Sequence, residues 1–161
     1  LVKLSRLENG IISLSPQPTA LQPLLESVVE QYTAKASEKG LSLQMQDTDA
    51  FAVFDFKWTA EALANIVDNA IKYTEHGTIR ISAVSYELFE RIDISDTGTG
   101  ISESEQAKIF ARFYRSNSVQ KQEGVGIGLY LARQIISGEG GYIKVASVPG
   151  KGSTFSIFLP K

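Results

Sequence analysis

The sequence predicts an α+β two-layer sandwich, in which a mixed, mostly antiparallel β-sheet carries helices on one face. Segments 21–39 and 61–74 place apolar residues at helical spacing, and a third such segment runs to about residue 137. Segments 78–86, 89–95, 142–147 and 153–159 alternate between apolar and polar residues, as strands with one buried face do. At 161 residues, with no change of composition along the chain, one core is enough.

The chain opens with a short helical pattern made by Leu1, Leu4 and Leu7. It ends near Asn9 and Gly10, residue types that suit a helix C-terminus. We expect a strand at 11–14 and a loop at 15–18. A helix of this length is unstable alone, so residues 1–14 are expected to be the tail of a longer helix with its linker. Residues 15–161 are expected to form the folded domain.

The second helix is predicted at 21–39 and is closed by Gly40, a favoured C-cap residue. Short strands are predicted at 41–45 and 51–54, where the sequence alternates or is rich in aromatic and β-branched residues. These elements lead into the helix at 61–74.

The helix at 61–74 has an unusual polar face. Its apolar stripe is regular, but Asn65 and Asn69 lie in its interior, where Asn costs up to about 0.7 kcal/mol relative to Ala. The two residues are one turn apart, so both amide oxygens can converge on one hard cation, and Lys72 follows within reach of a phosphate. The alternative is a solvated outer face, and this segment alone leaves both interpretations open.

Asp96 follows the strand at 89–95 and is succeeded by Gly98 and Gly100. A buried carboxylate there could accept a hydrogen bond from the exocyclic amine of a base. An Asp-initiated turn is common after strands, and this segment by itself favours the turn over a base-binding role. Ser102, with Glu105 three residues later, predicts the N-cap of a short helix ending near Phe110.

A polar stretch at 116–123 is expected to be mobile, and it leads to three alternating glycines before the next helix: Gly124, Gly126 and Gly128. Free N–H groups and absent side chains at a helix start favour a phosphate. The spacing is not that of a dinucleotide fingerprint, and a flexible hinge is the alternative. Two strands joined by a turn at 149–152 complete the chain.

Bulk composition excludes several classes of function. The net charge is −2 with both signs interspersed, so nothing indicates nucleic-acid binding. The chain has no cysteine, which removes disulfides, thiolate metal sites and a cysteine nucleophile. No apolar run approaches the ~20 residues that span a bilayer, so we expect no direct membrane contact from this chain.

The motifs are more specific together than singly. In chain order they are the Asn65/Asn69/Lys72 helix, Asp96-x-Gly-x-Gly, Phe110-x-x-Phe113, Gly-x-Gly-x-Gly128-Leu, and Gly150-x-Gly152-Ser-Thr154. This order resembles the catalytic ATP-binding domain of sensor histidine kinases, the Bergerat-type fold that they share with gyrase, Hsp90 and MutL ATPases. The likeness covers about residues 20–160. Residues 1–10 resemble the end of the dimerisation helix that precedes this domain in those kinases.

The resemblance implies ATP and Mg²⁺ as cofactors and assigns roles to individual residues. Asn69 would ligate the metal, and Asn65, Lys72 and Arg115 would act in catalysis. Asp96 would read the adenine amino group, supported by Thr154 through water. The implied nucleotide-binding set is Asn65, Asn69, Lys72, Tyr73, Asp96, Gly98, Gly100, Ile101, Phe110, Phe113, Gly124, Gly126, Ile127, Gly128, Leu129 and Thr154.

The implied activity is donation of the ATP γ-phosphate to a histidine on an upstream dimerisation domain. The implied partners are that domain, in a homodimer, and the receiver domain of a response regulator. The implied location is cytoplasmic, and the full-length protein could be anchored in the cell membrane. The family phosphoacceptor is a histidine followed by an acid on a helix, whereas His76 lies in a Glu-His-Gly turn, so His76 is interpreted as a surface turn residue.

The alternatives are an ATPase or switch module of the same fold, like gyrase, Hsp90, MutL or the anti-sigma-factor kinases, and a nucleotide-binding regulator without catalysis. Gyrase-like ATPases carry a water-activating Glu one turn before the metal-binding Asn. This chain has Asn65 at that position, which favours the kinase.

Overall fold

The computed structural model describes residues 13–111 and 128–161. Predictions for residues 1–12 and 112–127 lie outside the described residues. The described helices are α1 (Leu21–Glu38), α2 (Phe56–Tyr73), α3 (Glu103–Gln106) and α4 (Gly128–Gly138). The described strands are β1 (Gln17–Ala20), β2 (Ser42–Met45), β3 (Phe51–Phe54), β4 (Thr78–Ser85), β5 (Phe89–Asp96), β6 (Tyr142–Val148) and β7 (Gly152–Pro160).

A five-stranded sheet in the order β2-β4-β5-β7-β6 forms one layer of the molecule. β2 runs parallel to β4, and every other neighbouring pair is antiparallel. The predicted fold class, a mixed and mostly antiparallel sheet with helices on one face, is therefore confirmed.

Alternation along the central strands explains why the helices cover a single face. Ile92 and Ile94 of β5 are fully buried and pair with Ile157 and Phe155 of β7 on the same side of the sheet. The apolar stripe predicted for α2 is also fully buried, as Leu63 shows. Burying large apolar side chains is the main favourable term in folding, so these two patterns specify how the layers pack.

The beginning of the described chain differs from the prediction. Residues 15–18 were expected to be a loop, but β1 occupies Gln17–Ala20 and pairs with β3 in an antiparallel two-stranded sheet, Pro18 opposite Val53. Ser13 and Leu14 are not in a strand, although one was predicted at 11–14. β1 has no alternating apolar pattern of its own, so only its distant partner β3 makes it a strand.

Two helices differ from the prediction in length. α2 begins at Phe56 rather than near residue 61, because the Asp55 carboxylate accepts the Trp58 N–H at 3.1 Å and caps the first turn. α3 stops at Gln106, and Ser102 precedes it without a capping bond from its side chain. Among the described residues, no helix is both long and apolar enough to cross a membrane.

Candidate functional site

The site begins on the polar face of α2. Asn65 and Asn69 are half-buried, and neither side-chain amide bonds to another described residue. Both lie on the face opposite the buried stripe, one helical turn apart, as predicted. Two amide oxygens are thus available to a ligand at the surface of a rigid helix.

Lys72 lies on the same face, near the end of α2. Its ammonium is 3.2 Å from the Asp68 carboxylate, which also binds Lys35. The end of the helix is held from α1, because Lys39 Nζ donates to the carbonyls of Ile71 and Lys72 at 2.7 and 3.1 Å. A cation at the last carbonyls of a helix stabilises its C-terminus.

The start of α4 lies against the same face of α2. A Cβ added to Gly128 would be 3.7 Å from the Asn65 side chain. Leu129 is half-buried and packs on the core, so the first turn of α4 is anchored there. Gly128 thus brings the described end of α4 next to a region that already carries polar oxygens and a cation.

Asp96 is a buried carboxylate at the end of β5, only 8% exposed. Its Oδ1 accepts the N–H of Gly98 at 2.9 Å and the N–H of Ser153 at 3.2 Å. Burial raises the pKa of Asp96, and these two backbone donors counteract the rise. One carboxylate oxygen is therefore fixed by the backbone, and the bonds among the described residues leave Oδ2 to a ligand.

The glycines after Asp96 allow close packing. A Cβ on Gly98 would lie 2.5 Å from the Tyr73 carbonyl oxygen, and one on Gly100 would lie 2.3 Å from the Val148 carbonyl oxygen. Gly100 also has a φ of 74°, which side chains rarely tolerate. Ile101 is buried, and its N–H donates to Ser147 Oγ at 2.7 Å.

Ser153, rather than Thr154, lies beside Asp96. Ser153 is the register partner of Asp96, whereas Thr154 pairs with Ser95 and bonds to its hydroxyl at 2.9 Å on the other face of the sheet. The expected support of Asp96 by Thr154 therefore does not fit the geometry. The alternation would have revealed this, because Ser153 shares its face with the buried Phe155 and Thr154 does not.

The remaining predicted residues surround the same region or lie outside the described chain. Tyr73 is half-buried, and its carbonyl accepts the Thr99 N–H at 3.3 Å. Phe110 is half-buried and packs edge-on to Phe155 at 6.2 Å, beneath the Arg133 guanidinium of α4. Phe113, Arg115, Gly124, Gly126 and Ile127 are outside the described residues.

The described part of the site combines two chemical features. Asp96 is a buried carboxylate with the chemistry to accept a hydrogen bond from a base amino group, and the polar face of α2 carries amide oxygens and a cation, which suit phosphates. No cluster of three or more acidic, His or Cys side chains suited to a metal occurs in the described ranges. Such a cluster is not needed for Mg²⁺, which usually keeps several waters and takes only one or two side-chain ligands, most often carboxylates, in addition to substrate phosphates.

Residues 55–161 match the family described as histidine kinase-, DNA gyrase B-, and HSP90-like ATPases. The chain belongs to this ATPase family. The match includes α2, Asp96, both glycine segments and β7, so it contains every predicted site residue. The resemblance inferred from the motifs is therefore confirmed.

Among curated proteins, this ATPase domain is similar to sensory histidine kinases. It is 36% identical to the adaptive-response sensory kinase SasA of Crocosphaera subtropica over 99% of this chain and 43% of that protein. It is 34% identical to the circadian input-output histidine kinase CikA of Synechococcus elongatus over 100% of this chain and 22% of that protein. The chain spans less than half of either relative.

Solved structures support the same conclusion. Full-length ShkA in complex with AMPPNP has a TM-score of 0.87 and 27% identity, covering 99% of this chain and 34% of that one. The catalytic domain of the histidine kinase ThkA has a TM-score of 0.79 and 26% identity, covering 91% of this chain and 96% of that one. The ATPase domain therefore has the fold of histidine kinase catalytic domains.

Proposed function

We propose that this domain binds ATP with Mg²⁺ and donates the γ-phosphate to a histidine of an upstream dimerisation domain. The observation that carries the proposal is the position of Asp96 next to the end of α2. A Cβ on Gly98 would be 3.0 Å from Asp96 Oδ1 and 2.5 Å from the Tyr73 carbonyl oxygen, so a base acceptor adjoins the helix that carries Asn65, Asn69 and Lys72.

Different residues bind the base and the phosphates in this proposal. Asp96 Oδ2 accepts the adenine amino group, and a buried acceptor left unpaired costs about 1 to 3 kcal/mol, which selects for a base that donates there. Asn69, with Asn65 one turn before it, offers amide oxygens to the metal. A bound Mg²⁺ would neutralise charge on the phosphates.

Phosphoryl transfer needs positioning and charge stabilisation more than a protein base. Lys72 supplies a cation and the start of α4 supplies N–H groups, and Arg115 would add a second cation. A water-activating ATPase is the second candidate, but Asn65 stands where such an enzyme would carry Glu. The neighbouring carboxylate, Asp68, is bound to Lys35 and Lys72. The amide at position 65 favours transfer over hydrolysis.

The wider protein is also part of the proposal. Residues 1–14 would be the tail and linker of the dimerisation helix, and residues 15–161 the catalytic domain. The partners would be that dimerisation domain, in a homodimer, and the receiver domain of a response regulator, with the catalytic domain in the cytoplasm. The support comes from the similarity to sensory kinases over nearly the whole of this chain.

Transfer to a separate acceptor tests the function. The chain is incubated with γ-labelled ATP, Mg²⁺ and the histidine-bearing dimerisation domain of its parent protein. We expect slow, acid-labile labelling of the acceptor, slow because the tether that raises the local concentration of the acceptor is absent. Asp96→Asn should abolish labelling, whereas Lys57→Ala, an exposed change at the far end of α2, should not. Release of free phosphate without labelling would favour the ATPase alternative.

A further inference from the structure

Thr74 contains a buried hydroxyl that no described residue satisfies. It is the C-cap residue of α2, is fully buried, and its Oγ1 is the one buried side-chain oxygen or nitrogen in the described ranges without a hydrogen-bond partner. Buried polar groups in folded proteins almost always have a partner, so an orphan of this kind requires an explanation.

The hydroxyl faces a notch beside Gly98. A Cβ on Gly98 would lie 2.9 Å from Thr74 Oγ1, 3.0 Å from Asp96 Oδ1 and 2.5 Å from the Tyr73 carbonyl oxygen. Three oxygens thus line the place where any other residue would put its side chain. The φ of Gly98 is not in the left-handed region, so the glycine is needed here for space rather than for backbone conformation.

The three oxygens lie close enough together for one water molecule to bridge them, because all three are within 3.0 Å of a single point, the place of a Cβ on Gly98. Thr74 can donate its O–H to the water, and the water can donate one hydrogen to Asp96 Oδ1 and the other to the Tyr73 carbonyl. Buried waters typically make about three hydrogen bonds, and such a water would give the Thr74 hydroxyl the partner that it lacks among the described residues. Such a water would connect the end of α2 to the carboxylate that is proposed to read the base.

We propose that Thr74 is a positioning residue for purine recognition, and that its hydroxyl orients Asp96 through one buried bridging water. The inference rests on the proposed function, because it assigns Asp96 to the base. It adds the C-cap residue of α2 to a recognition element otherwise built from β5 and β7. Thr74 acts on the nucleotide only through Asp96.

Two nucleotides separate this role from a purely structural one. ATP has the 6-amino group that Asp96 would accept, whereas purine riboside triphosphate lacks it and is otherwise the same. If Thr74 orients Asp96, removing its hydroxyl should weaken ATP binding roughly three- to tenfold, the net value of one hydrogen bond. Binding of purine riboside triphosphate should change little. A structural defect would weaken both nucleotides alike.

The variants are Thr74→Val, which keeps the shape, and the pair Thr74→Ser and Thr74→Ala, which share the same missing methyl and differ only in the hydroxyl. Calorimetric titration should show the ATP preference of the unmutated chain retained in Thr74→Ser and reduced roughly three- to tenfold in Thr74→Val and Thr74→Ala. If Thr74→Val does not fold, the Ser and Ala pair still isolates the hydroxyl. In an Asp96→Asn background, Thr74→Ala should have no further effect on the preference relative to Thr74→Ser.

The two hypotheses fail in different ways. If the unmutated chain prefers ATP and every Thr74 variant keeps that preference, the role of Thr74 is wrong while the proposed function stands. Equal loss of affinity for both nucleotides on removal of the hydroxyl would also overturn it. If the unmutated chain binds neither nucleotide, or binds both equally, the assignment of Asp96 to the base is wrong, and the role of Thr74 is wrong with it.

Discussion

Asp96 and Asn69, both proposed to bind the nucleotide or its metal, have very different surroundings. Asp96 is buried, and one of its oxygens is held by two backbone N–H groups. Asn69 is half-buried, with an amide that bonds to no other described residue. The first suits recognition of a neutral base in a dry setting, and the second suits a metal that keeps part of its water shell.

Replacing Asn69 by Ala should remove the dependence of ATP binding on Mg²⁺. The unmutated chain is expected to bind ATP weakly without the ion, because neutral amides cannot balance a triphosphate by themselves. Calorimetric titration with and without Mg²⁺ measures the effect, and Asn69→Asp, which keeps an oxygen ligand, is the matched control. Equal ATP affinity of the unmutated chain in both conditions would contradict the role of Asn69.

Glu139 is a second buried carboxylate, which the sequence did not single out. It is 6% exposed and accepts the Thr59 hydroxyl at 2.8 Å and the Asp55 N–H, so it joins the end of α4 to the start of α2. Burial raises the pKa of Glu139 above its ordinary value of 4.5, although these hydrogen bonds lower it in part.

The raised pKa of Glu139 predicts a pH dependence of stability. Above about pH 4.5 the folded state holds this proton more tightly than the unfolded state. The stabilising contribution is therefore complete below that value and is lost as the pH rises through the folded pKa. The unmutated chain should therefore gain unfolding free energy relative to the Glu139→Gln variant, which cannot titrate at this position, as the pH falls from 7 to 5. Urea denaturation of both chains at several pH values measures this. A loss of unfolding free energy relative to the variant on acidification would contradict the assignment.

At the scale of elements, α2 organises both the core and the site. Its apolar stripe was predictable because helical periodicity is a local property of the sequence. Its start was missed, although Asp55 directly before the apolar Phe56 is a usable N-cap signal. The Asp55 carboxylate also accepts the Ser15 N–H at 2.9 Å, a contact between residues too distant in sequence for pattern analysis.

Asp55→Ala should destabilise the chain by about 1 kcal/mol, the usual cost of losing an N-cap. The loss has two sources, since both the Trp58 and the Ser15 N–H groups would lose their acceptor. Asp55→Asn retains a capping oxygen and is the control. Urea denaturation gives the stability and calorimetry the ATP affinity, which should stay nearly constant because the cap is at the other end of α2 from Lys72. An unchanged unfolding midpoint in Asp55→Ala would show that the cap is dispensable.

At the scale of the whole molecule, the described residues contain no family-like phosphoacceptor. The sole histidine, His76, is exposed after α2, and its carbonyl accepts the Thr97 hydroxyl at 3.1 Å. It follows Glu75 and precedes Gly77 in a turn rather than in a helix. Phosphoryl transfer requires the nucleophile to be held in line with the γ-phosphate, which an exposed turn residue does not provide.

The chain alone should therefore bind ATP without becoming labelled. Incubation with γ-labelled ATP and Mg²⁺ measures this, and His76→Gln is the matched control. Acid-labile label on the unmutated chain that disappears in His76→Gln would show that His76 is a phosphoacceptor. The proposed active site would then be wrong, because it does not include His76.

The sequence by itself determined the elements whose cause is local. The α1 and α2 stripes, the Gly40 helix end with its φ of 78°, and the alternation of β5 and β7 all follow from residues close together in the chain. The motif order determined the family for the same reason, because each motif is a short segment with its own spacing.

Only the tertiary structure decided which distant residues meet. Ser153, rather than Thr154, touches Asp96 from 57 positions away, and β1 is a strand only because β3 pairs with it. The Gly98 notch combines a helix end with a strand end, which no single segment reveals. Local spacing determines periodicity and turns, whereas burial and hydrogen-bond satisfaction depend on packing between segments, and this packing gives Asp96 its buried site and leaves the Thr74 hydroxyl facing the Gly98 notch.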